Sequence, residues 1–140
     1  MPEAVPAAPA ALLATMPYAV ALGITLRAVA PQRATGELQW TPGRCTAGGV
    51  LHGGAVMALA DTVGAVCAYL NLPEGAVTAT VESKTNFFRG VRAGTLHATA
   101  RPLHVGRSFI VVQTDLTDDS GRAIGQTTQT QAVIAPAPAG

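Results

Sequence analysis

The stretch Gly54-Ala55-Val56-Met57-Ala58-Leu59-Ala60-Asp61-Thr62-Val63-Gly64-Ala65-Val66-Cys67-Ala68-Tyr69-Leu70-Asn71 decides the fold. Alanine, leucine and methionine favour helix, and the run is too long for a strand. Pro73 ends it. Gly64 weakens the helix but permits close packing. Apolar residues fall on nearly every side, which predicts a central, buried helix. Asp61 at its middle and the strand-like flanks argue against a membrane span.

Working outward, residues 41–51 read as a loop rich in Gly and Thr. Residues 34–40 and 20–30 read as strands, the latter alternating Ile24, Leu26 and Ala28 against Thr25 and Arg27. Pro31-Gln32 turns one into the other, so they pair as a hairpin. Residues 10–15 read as a short helix stopped by Pro17. Pro2, Pro6 and Pro9 stand among alanines with no basic stretch. That reads as a flexible segment, 1–15, rather than a secretory leader. Downstream, four strand-like segments cover 77–88, 95–104, 108–117 and 122–134. Arg92-Ala93-Gly94, Val105-Gly106 and Asp118-Asp119-Ser120-Gly121 separate them, the last being a strong hairpin signal. The final strand holds Gln126, Thr127, Thr128, Gln129, Thr130 and Gln131, so one face is wet or borders a partner or a site. Residues 136–140 read as a flexible tail. A hairpin, one long helix and an antiparallel meander make an α+β domain over 16–135, its sheet wrapped on the helix.

Composition narrows the function. Of 140 residues, 49% are hydrophobic and 12% charged, a balance that predicts a surface partly covered by another subunit. A net charge of +1 gives nucleic-acid binding no electrostatic support. Cys45 and Cys67 form no ligand cluster; Cys67 reads as a small core residue, and the pattern fits a reducing cytosol.

Asp61 is the residue that needs a reason. A carboxylate in an apolar helix is costly to desolvate, so solvent on a narrow stripe, a partner chain or a function must compensate. Just upstream, His52-Gly53-Gly54 opens the helix. Glycines allow a ligand close to the backbone, and the first N–H groups of a helix lack internal partners and carry partial positive charge. A carbonyl group held there would be stabilised as its oxygen becomes negative. The simpler reading is an ordinary Gly-rich turn. Asp61 lies two helical turns past Gly54, roughly 10 Å along the axis. A carboxylate supplied by a second subunit closes that gap.

Leu51-His52-Gly53-Gly54, followed by Asp61, resembles the helix-opening signature of the PaaI-type and Arthrobacter-type 4-hydroxybenzoyl-CoA thioesterases. Asn86-Phe87-Phe88-Arg89, Gly94 to Ala98, His104-Val105-Gly106-Arg107-Ser108 and Asp118-Asp119-Ser120-Gly121-Arg122 resemble later segments of that family in the same order. The resemblance spans roughly residues 20–134. It implies a hotdog fold, a curved antiparallel sheet around one long central helix. It also implies a homodimer with interface sites, often paired into a homotetramer. The implied reaction is hydrolysis of acyl-CoA to acid and free CoA, with no metal or redox cofactor, in the cytoplasm.

Residue by residue, the resemblance implies Asp61 as the catalytic carboxylate, attacking the carbonyl directly or through a water. It implies the Gly53 N–H as carbonyl donor, with Gly54 beside the substrate. His52 either orients the loop or touches the substrate. Thr80 matches a substrate-side hydroxyl, though its strand propensity alone would explain it. Thr46 stands where relatives often carry Asn or Gln, and Gly90 where they usually carry Pro. Arg89, Arg107 and Ser108 match positions lining the CoA groove, where guanidinium suits phosphate. Ala58, Ala65 and Val66, with Leu70 beyond, would line a pocket for an aryl or medium-chain acyl group. Cys45 lacks the base and orienting group of a nucleophilic thiol. A hydratase on the same fold would need a differently spaced His and acid. An acyl-CoA sensor would bind without releasing CoA.

Overall fold

The computed structural model describes residues 8–137. Residues 1–7 of the expected flexible segment and 138–140 of the expected tail lie outside them. From Pro9 the chain is helical: α1 (Pro9–Ala14) starts on a proline and buries Leu12 against the core. A second short helix follows, α2 (Pro17–Leu22), again opened by proline. It closes on Gly23, whose φ of 92° is the left-handed end that glycine adopts without a Cβ clash. This corrects the expectation of a strand from residue 20. Pro17 does stop the first helix, but its fixed φ also starts the next, and β1 (Thr25–Ala30) begins only after Gly23.

The β1–β2 hairpin forms as read, with β2 at Arg33–Gln39 and Ala30 opposite Arg33. The long helix is α3 (Gly53–Tyr69). Beyond it come β3 (Val77–Phe87), β4 (Thr95–Val105), β5 (Phe109–Thr117) and β6 (Ala123–Ile134). All six strands form one antiparallel sheet in the order β1-β2-β4-β5-β6-β3. The expected four-stranded meander is corrected by this order. Only β4, β5 and β6 follow one another; β3 crosses to the far edge and pairs with β6. Local sequence carries no signal for that crossover.

One face of the sheet closes over α3. Leu38, Leu96, Ile110, Val112, Leu116 and Ile124 meet Val56, Leu59, Val63 and Cys67 of the helix in one buried cluster. Cys67 is part of that packing, and burial pushes its thiol up to about 11, so it stays protonated and unreactive. No helix among the described residues is long and apolar enough to cross a membrane.

Two features of the sheet position the site. Between Thr80 and Glu82 the β3–β6 register shifts by one residue, a bulge at Val81. Such an extra residue reverses which side chains share a face, so Thr80 and Ser83 line the same groove. On β6, the side chains of Thr127, Gln129 and Gln131 are buried, while Gln126, Thr128 and Thr130 between them are half-buried. The polar strand therefore turns two glutamines inward, toward the helix.

Candidate active site

The N-terminus of α3 is built by His52. Its Nδ1 accepts the Gly54 N–H at 2.8 Å, and its carbonyl accepts from Ala55 and Val56 at 2.9 and 3.1 Å. His52 is thus the helix cap, a role that a ring nitrogen performs in place of the usual hydroxyl or carboxylate. Its own N–H is held by Arg44 O at 2.9 Å, which fixes the loop. Capping leaves one donor over: among the described residues nothing accepts from the Gly53 N–H. That group sits at the positive end of a 17-residue helix.

Asp61 stands eight residues on, and its surroundings correct the expectation of an oily interior. In the single chain it is exposed, on a stripe with Gly54 and Met57, while Thr62 beside it is buried. Gly54, Met57, Ala58, Asp61, Thr80, Ser83 and Tyr18 line one groove of about 380 Å³. Carboxylate Oδ1 accepts from Thr80 Oγ1 at 3.2 Å and from Gln129 Nε2 at 3.1 Å. Gln131 Nε2 in turn donates to Thr80 Oγ1 at 2.7 Å, and Thr78 Oγ1 donates to Gln131 Oε1 at 3.1 Å. A polar chain therefore runs from β3 through β6 to the helix. Oδ2 has no partner among the described residues.

One turn past Asp61, Ala65 and Val66 open on an apolar cavity of about 360 Å³, with Leu12, Thr15, Met16, Tyr69 and Thr78. Leu70 is not part of its lining. Gly53 faces a different cavity, about 340 Å³, shared with Phe87, Phe88, Arg89 and Gly90. Gly53 and Asp61 thus open to different spaces of one chain.

The remaining expected residues are scattered. Thr46 sits in the exposed turn closed by the Cys45–Leu51 bridge, its N–H on Val50 O at 2.8 Å, and lines none of these cavities. Arg107 and Ser108 are exposed in the β4–β5 turn. Register puts that turn beside the start of β3, since Phe109 and Ala79 both face Ala132. Arg89 follows the other end of β3. An 11-residue strand separates them, roughly 35 Å. Arg89 and Arg107 of one chain therefore stand at opposite ends of β3. Cys45 Sγ lies 3.3 Å from Thr41 O, with no base engaged. Tyr18, Met57, Ser83 and Gln129 were not singled out from sequence. The Gln/Thr-rich strand carried a signal for Gln129; Tyr18 fell between the expected helix at 10–15 and the expected strand at 20–30, where α2 forms instead.

Residues 48–124, more than half the chain, match the family described as Thioesterase superfamily. A Mycobacterium tuberculosis protein named as an esterase is 31% identical over 124 residues, 86% of this chain and 89% of that one. The 1,4-dihydroxy-2-naphthoyl-CoA hydrolase of Escherichia coli is 33% identical over 86 residues, 61% of this chain and 63% of its own length. A solved thioesterase from Haemophilus influenzae superposes with a TM-score of 0.87 at 28% identity, over 94% of this chain and 93% of that one. The central helix wrapped by an antiparallel sheet is what superposes on that solved structure, and the chain belongs to the thioesterase superfamily as a hotdog-fold thioester hydrolase.

Proposed function

We propose that the chain hydrolyses acyl-CoA thioesters carrying an aryl or short- to medium-chain acyl group, with Asp61 as the catalytic carboxylate. The observation that supports this most is the state of its two oxygens. Oδ1 is held by Thr80 and Gln129, while Oδ2 has no partner among the described residues; Asp61 lines a groove, and an apolar cavity opens one helical turn further along α3. Oδ2 takes a proton from water as the water oxygen bonds to the thioester carbon. The carbonyl electrons move onto oxygen, which accepts from the Gly53 N–H. Collapse breaks the carbon–sulfur bond, and the CoA sulfur takes the proton from Asp61. In the direct variant, Oδ2 itself bonds to the carbon, CoA leaves, and water hydrolyses the resulting anhydride. Neither route calls on a metal or redox cofactor.

The site is completed by a second copy. β3 ends the sheet with a long open edge and exposes Val77, Val81 and Phe87. Such an edge invites pairing. Antiparallel pairing of β3 with its counterpart brings the Arg89 end of one copy to the Arg107 and Ser108 turn of the other. It also brings the Gly53 cavity of one copy toward the Asp61 groove of the other. CoA phosphates would then lie between the two arginines, and the acyl group beyond Asp61 against Ala65 and Val66.

The test is thiol release from a panel of acyl-CoAs by the wild type and by Asp61→Asn. Asparagine keeps the size and loses the charge, so the rate falls by about a hundredfold or more while acyl-CoA binding persists. An undiminished rate in the Asn variant removes Asp61 from this role.

A further inference from the structure

We infer that Gln129 is a positioning residue that holds Asp61 Oδ1 and leaves Oδ2 turned toward the substrate, and that Gly64 exists to make room for it. The inference rests on the assignment of Asp61 as the catalytic carboxylate. Gln129 is 1% exposed and lines none of the cavities described above, so it reaches the chemistry only through Asp61. Its Nε2 donates to Asp61 Oδ1 at 3.1 Å. Its Oε1 is buried with no partner among the described residues. A buried acceptor left unpaired is unfavourable, so the carboxamide's place is set by what its Nε2 meets.

The amide cannot relieve this by turning over. Flipped, it would aim its oxygen at a carboxylate, which can accept but not donate while ionised. The present orientation is therefore the one that an ionised Asp61 selects. Gly64, one turn along α3, completes the arrangement. A Cβ there would stand 2.0 Å from Gln129 Oε1 and 2.7 Å from its carboxamide carbon. Glycine is a poor interior helix residue, and here its missing side chain leaves the space the carboxamide fills.

No Lys or Arg forms an ion pair with Asp61 among the described residues. Tyr18 is the other titratable group lining its groove. From β3 come the Thr80 hydroxyl and Ser83, from β6 Gln129, and from α3 itself Met57 and Ala58. Two hydrogen bonds to one oxygen fix the carboxylate's orientation and leave Oδ2 for the reaction.

Two variants test this from opposite sides. Gln129→Leu removes the donor, and Gly64→Ala displaces it without altering Gln129 or Asp61. Both are measured over a pH series beside Asp61→Asn. The expected result is a kcat about tenfold lower with KM within about twofold, the scale of one hydrogen bond to a charged group. The acid limb of kcat/KM moves to higher pH in both, because the charged form has lost a donor. A purely structural glutamine would lower the melting temperature and leave limb and kcat unchanged in the folded enzyme. If Asp61→Asn is inactive while both variants keep the wild-type profile, the positioning role is overturned and the assignment of Asp61 stands. If Asp61→Asn stays fully active, the assignment itself has failed. Should Gln129→Leu not fold, Gly64→Ala decides, since alanine favours the helix it enters.

Discussion

Gly53 offers a test confined to a single hydrogen atom. It is the first helical residue of α3, where proline is well tolerated because no intrahelical bond is lost. The preceding residue, His52, has φ −59° and ψ 133°, the extended conformation that a following proline requires. A Cβ on Gly53 meets only the Phe87 ring, at 3.5 Å, an ordinary contact. Gly53→Pro therefore keeps the helix and deletes the N–H assigned to the thioester oxygen. We expect an unchanged circular dichroism spectrum and a kcat lower by about a hundred- to a thousandfold, the usual effect of losing one such donor. A well-folded proline variant with normal turnover would show that the carbonyl is polarised by another group.

At the scale of the element, the β5–β6 hairpin sets where Gln129 falls. A slip of one residue would turn Gln129 and Gln131 to the outer face of the sheet. Asp118 pins the turn. Its Oδ1 accepts from the Ser120 N–H at 2.9 Å, the Ser120 hydroxyl at 2.7 Å and the Arg122 N–H at 3.0 Å. Oδ2 accepts from Arg122 Nε at 2.9 Å. The Ser120 hydroxyl above all, with the N–H donors and the Arg122 guanidinium, holds this carboxyl well below its ordinary 3.8. A lowered folded value means that protonation favours the unfolded chain. The stabilisation is complete above 3.8 and is lost as pH falls through the lower, folded value. Asp118→Ala should lower the melting temperature at neutral pH, and its deficit against wild type should shrink as the pH is taken below 3.8. A deficit that stays constant down to the acid limit would show that the carboxylate's charge has no part in holding the turn.

At the scale of the whole molecule, the separation of Gly53 from Asp61 predicts complementation. If each site takes the carboxylate of one copy and the helix start of the other, Asp61→Asn and Gly53→Pro damage different halves. A mixed dimer then carries one site with both lesions and one with neither. Co-expression of the two inactive variants at equal levels should restore about a quarter of the wild-type activity, as random pairing under two-fold symmetry requires. Activity no higher than the sum of the parents would put both groups in one chain's site.

Much of this protein is written locally. The alanine-rich run of α3, the Pro31-Gln32 turn and Asp118 to Gly121 each specify their own conformation, so the helix and the strands after it begin and end close to where residue types alone put them. His52-Gly53-Gly54 marked the helix start, and Asp61 was conspicuous as a charge among alanines. Long-range pairing decided the rest. That β3 lies beside β6 and not β4, that a bulge at Val81 brings Thr80 and Ser83 to one face, and that Gln129 enters the space left by Gly64 all depend on residues far apart in the chain. A strand's hydrogen-bonding groups are alike whichever neighbour they meet. Only the packing of the whole sheet on α3 selects the partner, and with it the donor that faces Asp61.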